Sequence, residues 1–233
     1  MVLSQRFNVV IPTCNGAEFL PKTIQSIGEF FSGDCKIVII ENGSNLMQKV
    51  ALKELIQSYK GIFDIELLQS EKGFGNALRA STLNLYHEFT WITGDDLPFG
   101  FSHFEDLNFP LDRNRVVIAS KSHASSKVSR KGSRRLYSFV FRYFRRLVLG
   151  LKIGDTQGDF ILSTELLQKY ICRTTEKGFL FTTQLCFLMY RDRVEFNEVP
   201  VQLNDLGSAS RVKFRDLVDM SIGIFRIRLR AIG

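Results

Sequence analysis

The feature that most constrains this chain is an alternation repeated through its first half. Short aliphatic and β-branched runs, FNVVI (7–11), KIVII (36–40), DIELL (64–68), FTWIT (89–93) and VVIAS (116–120), are separated by longer stretches. In those stretches, Ala17–Phe31, Leu46–Tyr59 and Asn76–Tyr86, apolar residues recur at helical spacing. Alternating β and α elements build an α/β fold around a mostly parallel sheet, with helices on both faces. In such sheets ligands sit outside the carboxyl ends of the strands. No linker, internal repeat or low-complexity tract divides the chain, so its 233 residues read as one domain with a sizeable core.

The loops at the ends of these runs carry the functional signal. The first run leads into PTCNG, the second into ENGSN, the third into QSEKGFGNA and the fourth into GDDLP. Any one of these is an ordinary turn composition. Four in succession place polar, glycine-bearing loops along one sheet edge, as a binding site requires. Within them, Asp95 and Asp96 come directly after a buried strand. Adjacent carboxylates there suit a hard divalent cation, Mg²⁺ or Mn²⁺, that neutralises phosphate; a helix N-cap is the rival reading. The neighbouring loops favour the cation. The segment KGFGNALR (72–79) opens a helix with two glycines, so its backbone N–H groups can approach a phosphate, although it lacks the spacing of a phosphate-cradling loop. In GDTQGDFILS (154–163), a polar loop running into a strand, Asp155, Gln157 and Asp159 either bind a ligand or close a turn.

Charge is distributed unevenly. The net charge is +7, yet between Asp112 and Asp155 there are twelve basic residues and no acidic one, so the remainder of the chain carries −5. An anionic partner is therefore expected at one surface. Within this stretch, Arg134–Leu151 reads as a helix. At about 100° per residue, Arg134, Arg135, Arg142, Arg145 and Arg146 fall within an arc of roughly 120°, with Leu136, Val140, Tyr143, Phe144, Leu147 and Val148 opposite. Such a basic amphipathic helix fits an anionic membrane surface better than a solvated face packed on its own core. Nucleic acid is the rival anion, but no binding module for it is present.

Several classes are excluded on composition. The three histidines form no ligand cluster, which argues against zinc. The four cysteines form no CxxC pair and read as buried free thiols of a reducing compartment. No apolar run approaches the ~20 residues of a membrane span and no cleavable leader is evident, so membrane contact is expected to be peripheral, at the cytoplasmic face.

Taken in order, VVIPTCNGAEFLPKTIQSI, ENGS, KGFGNALR, GDDLP, DTQGDFILSTE, EVPVQLND, GSASRV and IFRIRLR resemble the family 2 glycosyltransferases of the GT-A fold. The likeness is greatest to the enzymes that glucosylate or mannosylate dolichyl and other polyprenyl phosphates, and the DTQ form leans to the glucosyl branch. The resemblance spans nearly the whole chain and implies a single GT-A domain, with a nucleotide-binding half over 1–120 and an acceptor- and membrane-facing half over 121–233. It implies that Pro12, Thr13 and Asn15 line a nucleobase pocket, that Glu41 contacts base or ribose, and that Lys72, Gly73 and Gly75 lie under the nucleotide. Asp96, with Asp95, would hold the metal; Arg130 and Arg134 would grip phosphates, and Gln157 would lie near the transferred sugar.

Four positions depart from the family pattern. Gly94 stands for the first aspartate of the DxD motif, Gly16 for a glutamate, and Thr182 and Gln184 for the two carboxylates of FDVEL, while the membrane spans of some relatives are absent. The implied activity is inverting transfer of a sugar from a nucleotide donor, UDP-glucose or GDP-mannose, to a polyprenyl phosphate at an anionic membrane. A lipid phosphate is already ionised, which lessens the need for a general base. A polysaccharide or protein acceptor, and a non-catalytic membrane-binding role, are the alternatives.

Overall fold

A computed structural model describes residues 5–128, 132–203 and 214–230, and within 132–138 and 214–219 the helical backbone alone. The first half bears out the alternation. Strands β1 (Phe7–Thr13), β2 (Cys35–Glu41), β3 (Asp64–Gln69) and β4 (Phe89–Ile92) alternate with helices α1 (Leu20–Phe30), α2 (Leu46–Tyr59) and α3 (Phe74–Ser81). Pro21 occupies the first turn of α1, where its missing N–H costs nothing. Asn45 caps α2 by accepting from Gln48 N at 3.0 Å. Then come β5 (Arg115–Ser120), β6 (Lys127–Val128), α4 (Gly132–Leu149), β7 (Asp159–Ser163), α5 (Thr164–Ile171), α6 (Phe181–Arg191), β8 (Glu195–Pro200), β9 (Gln202–Leu203) and α7 (Phe214–Arg230).

Seven strands form one sheet in the order β3-β2-β1-β4-β7-β5-β8, and β6 pairs with β9 in a small parallel ribbon. Every neighbouring pair in the large sheet is parallel except those of β7, which runs against both β4 and β5. This reversal was not legible in DFILS, whose apolar run is the same in either direction. It has one consequence for the site: the loop entering β7 opens at the edge where the other strands end.

Both faces of the sheet are covered, which is why its central strands lack polar alternation. Val10, Val38, Ile40 and Phe160 point to one core with α3, α5 and α6. Val9, Ile11, Ile37 and Ile39 point to the other, where α1 and α2 close over Phe7, Phe31, Trp91 and Phe104. The free thiols divide: Cys35 and Cys186 are buried as expected, whereas Cys14 is half-buried and Cys172 exposed. Burial pushes the Cys35 thiol up to about 12, so it stays protonated.

Candidate active site

The loops after β1, β2, β3 and β4 do more than share an edge; they touch in series. Thr13 donates its hydroxyl to Asp95 Oδ2 at 2.6 Å, joining the β1 and β4 loops, and Thr23 of α1 donates to the Asp95 carbonyl at 2.8 Å. Asn15, at φ 59°, donates its N–H to Ser44 Oγ and accepts from Asn45 N, each at 2.9 Å, joining β1 to β2. Gly43 abuts Lys72, joining β2 to β3: a Cβ there would lie 2.9 Å from the lysine's Cβ and Cγ. Gly75 donates its N–H to Lys177 O at 2.8 Å, carrying the series to the loop before α6.

The acidic pair is arranged by two glycines. Gly16, where the family pattern has glutamate, provides the space for the Asp95 carboxylate: a Cβ there would fall 1.9 Å from Asp95 Oδ2. Gly94 lies under Asp96, whose Oδ1 would be 2.9 Å from a Cβ. Asp95 thus turns toward β1 while Asp96 is exposed. Behind them is Asp159, buried, accepting from Trp91 Nε1 at 3.2 Å; burial, reinforced by the nearby charge of Asp96, raises its pKa to about 7.

Glu41 is 2% exposed and organises the β2 loop. Its Oε1 accepts the N–H groups of Gly43, at 2.7 Å, and Ser44, and Lys49 Nζ lies 3.4 Å from Oε2. Burial alone would raise its pKa; the donated N–H groups and Lys49 outweigh this and hold it below the ordinary carboxylate value, so it is an anion.

Several expected roles change on this geometry. Thr13 is buried with its hydroxyl committed to Asp95, and Pro12 is buried within β1, so of the three residues expected around a nucleobase only Asn15 is exposed. The glycines of KGFGNALR serve chain packing. A Cβ at Gly73 (φ 130°) would meet Lys177 O at 2.4 Å, one at Gly75 would meet Glu176 O at 2.5 Å, and the Gly75 N–H is already donated. A phosphate cannot use it.

On the other flank, the loop entering β7 is a fixed turn. Asp155 accepts N–H groups from Lys121 (3.0 Å) and Gln157 (2.8 Å), and Lys121 Nζ lies 3.1 Å from its Oδ2. Burial opposes ionisation there, but Lys121 and the N–H groups lower its pKa. Glu198 of β8 accepts from Gly154 N and Asp155 N at 2.7 and 3.0 Å. Lys121 and Glu198 were missed by sequence reasoning; their one available signal was position, Lys121 directly after β5 and Glu198 in the last half of β8, toward the loop-bearing edge. Gln157 is held by donation to Phe179 O (2.8 Å) and Thr182 Oγ1 (3.0 Å). Gln184 Oε1 accepts the N–H groups of Thr175 and Glu176 at 2.8 and 2.9 Å. The two residues that replace carboxylates therefore hold loops in place.

Arg130 lies outside the described residues, as does the side chain of Arg134. The expected basic face of α4 needs correction at Arg145. That guanidinium is 2% exposed, donating to Thr156 Oγ1 at 2.6 Å, to Gly154 O at 3.1 Å and to Ile153 O. It points inward, while Val140, Tyr143 and Leu147, read as lying opposite the arginines, are exposed, and so is Phe139.

Among the described residues no three His, Cys, Asp or Glu side chains gather into a metal cage. The acidic pair still fits a cation of the Mg²⁺ or Mn²⁺ type, which takes oxygen ligands and is commonly held by one or two carboxylates with substrate phosphates completing its shell.

Comparison with known proteins agrees with the fold and identifies a family. The profile described as "Glycosyl transferase family 2" matches residues 8–171. A dolichyl-phosphate β-glucosyltransferase of Saccharomyces cerevisiae is 22% identical over 253 residues, covering 95% of this chain and 74% of the yeast protein. Among solved structures, glucosyl-3-phosphoglycerate synthase of Mycobacterium tuberculosis with UDP superposes with a TM-score of 0.64 at 15% identity, covering 97% of this chain and 80% of that one. Its complex with Mn²⁺, UDP-glucose and phosphoglyceric acid gives 0.67 at 16% identity, over 97% and 79%.

Proposed function

Since the chain belongs to glycosyl transferase family 2, we propose that it moves glucose from UDP-glucose, with inversion, onto a polyprenyl phosphate at the cytoplasmic face of a membrane. The observation that carries the donor half of this reading is the linked set of strand-end loops, with Asp95 seated over Gly16 and tied to Thr13 at 2.6 Å beside an exposed Asp96. The acceptor half is supported by the yeast relative, whose name specifies dolichyl phosphate. Thr182 and Gln184, which depart from the two carboxylates of the family pattern, hold loops instead, and an acceptor that is already ionised lessens the cost of that departure.

The chemistry needs few groups. Asp96 and Asp95 would hold a divalent cation, which neutralises the charge that develops on the departing diphosphate. Thr13 fixes the orientation of Asp95, and the ionised Glu41 stiffens the loop that packs on Lys72. Gln157, its amide clamped by Phe179 and Thr182, would lie near the transferred sugar. Arg130 and Arg134 would pair with phosphates. A lipid phosphate attacks as an anion, so no proton need be removed, and direct in-line displacement inverts the anomeric centre.

The test is purified protein with radiolabelled UDP-glucose or GDP-mannose and Mn²⁺, offered a polyprenyl phosphate or phosphoglyceric acid. Transfer from UDP-glucose to the lipid, lost with EDTA and in Asp96→Ala, is the expected result. Transfer only to the soluble phosphate overturns the acceptor, only from GDP-mannose the donor. Metal-independent UDP binding, unchanged in Asp96→Ala and in the Asp95→Ala/Asp96→Ala pair, overturns the metal role.

A further inference from the structure

Fifteen large apolar side chains are exposed among the described residues, and seven of them belong to two helices. On α4 these are Phe139, Val140, Tyr143 and Leu147, 53–71% exposed. At about 100° per residue they share an arc of roughly 100°, with the buried Arg145 on the opposite side. On α7 they are Ile222, Phe225 and Leu229, 51–69% exposed, within roughly 60°. The helices pack together, Phe144 against Phe225 with ring centroids 5.3 Å apart. Clustering on neighbouring helices distinguishes these residues from apolar side chains scattered singly, which need no explanation.

Among the described side chains of the two helices, the charges beside the stripes are all of one sign; the acidic residues of α7, Asp216 and Asp219, precede its stripe. Exposed Arg146 adjoins the α4 stripe, and exposed Arg226 and Arg228 flank that of α7. Neither 132–149 nor 220–230 contains an acidic residue. An apolar stripe bordered by arginines matches acyl chains beneath anionic headgroups, where the guanidinium heads meet phosphate while the apolar faces leave water. No helix among the described residues is long and apolar enough to cross a membrane, so the pair would lie in the interface plane.

Its attachments tie this surface to the site. Arg145 holds α4 to Thr156 and Gly154, one and three residues before Gln157. Gly223 brings α7 onto Leu180, where a Cβ would come within 2.2 Å of Cδ1, and Arg230 donates to Thr175 Oγ1 at 2.7 Å. Phe179, whose carbonyl holds Gln157, is itself 73% exposed.

We propose that α4 and α7 together form a monotopic docking face for an anionic bilayer, inserting their apolar stripes and placing Arg146, Arg226 and Arg228 at lipid phosphates. This rests on the lipid-acceptor reading only for its purpose; the docking itself stands on the surface. It also reverses the orientation inferred from sequence, since the apolar side of α4, rather than a five-arginine face, meets the membrane.

The experiment is flotation of the full chain with vesicles of phosphatidylcholine, with and without phosphatidylserine, none containing polyprenyl phosphate, at low and at 1 M salt. Wild type is expected to float with the anionic vesicles and to remain partly bound at 1 M salt, because the apolar contribution is not screened. Leu147→Ser with Leu229→Ser should lower partitioning at least about tenfold, from the transfer free energy of two leucines. Melting temperature and UDP binding should stay at wild-type values, which separates lost docking from lost folding. Wild type that ignores anionic vesicles at low salt, or is released entirely at 1 M salt, overturns the proposal. So does a wild-type dimer by light scattering that the double variant makes monomeric, since a second copy would then be what covers the stripes. Because the vesicles carry no acceptor, failure of the acceptor assignment leaves this result intact, and the reverse also holds.

Discussion

Gly16→Ala is the smallest change that addresses the acidic pair without touching it. The new Cβ would lie 1.9 Å from Asp95 Oδ2 and 2.6 Å from Thr13 Oγ1. To reach ordinary contact at 3.4 Å, the carboxylate oxygen must retreat by 3.4 − 1.9 = 1.5 Å, enough to break its 2.6 Å bond from Thr13. A hydrogen bond to a charged group contributes about 1.5–3 kcal/mol, so metal-dependent UDP affinity should fall by about tenfold or more. The fold should tolerate the change, because what yields is the end of a side chain; at ~2–4 °C per kcal/mol the melting temperature should fall by no more than ~12 °C. Calorimetric titration of UDP with and without Mn²⁺ reads the effect, with Thr13→Val as a companion that removes the same bond without overfilling the space. If Gly16→Ala retains full metal-dependent affinity while the melting temperature moves, the seating of Asp95 plays no part in nucleotide binding.

Glu41→Ala should raise the donor KM more than it lowers kcat, because it loosens a loop that binds rather than a group that reacts; an unchanged KM places the nucleotide elsewhere. Arg145→Gln should cost about 3 kcal/mol, since it weakens three bonds in a buried site, and lower the melting temperature by ~6–12 °C; thermal melts read this directly, and a shift under ~2 °C denies Arg145 its anchoring role. His103 is buried against Trp91 and Phe104 with both ring nitrogens unpartnered, and burial lowers its pKa to about 4. The imidazole is neutral in the fold, so it imposes no penalty above pH ~6.5; as pH falls the unfolded chain takes up the proton first, and stability is lost between ~6.5 and ~4. His103→Phe should flatten that part of the stability–pH curve in urea denaturation, and an unchanged acid slope assigns it to other groups.

The fold was legible where hydrophobic pattern alone decides it: the positions of β1, β2, β4 and β5 and the boundaries of α2 come from buried runs and spacing, whereas β3, at the sheet edge, is only half-buried. The direction of β7 was not, because DFILS fits either orientation and only its long-range pairing with β4 and β5 selects one. Helical spacing put Arg145 on the same arc as its neighbours, but periodicity cannot tell which face turns inward. That was settled by carbonyls at 153 and 154 and the hydroxyl of Thr156, contributed by a loop eight to eleven residues away. The glycines of KGFGNALR read as a phosphate approach, whereas in the fold the backbone of 176–177 lies against them. In each case the missing information was a contact between segments that lie apart in the sequence.

The reversed strand has a consequence for how such an enzyme can diversify. Residues 93–96 leave β4 and residues 153–158 enter β7, so the acidic loop and the Gln157 loop meet at the β4–β7 junction. On the proposed reading, donor recognition descends from the strands on one side of that junction and acceptor recognition from the turn and helices on the other. Lengthening or exchanging 150–158 together with α4 would alter what receives the sugar while leaving intact the chain of contacts from Asp95 through Asn15 to Lys72. The two specificities can then be inherited separately: a library confined to 135–153, which spares Arg134 and Gln157, should yield new acceptors on an unchanged donor, and one confined to 13–16 and 41–45 the converse.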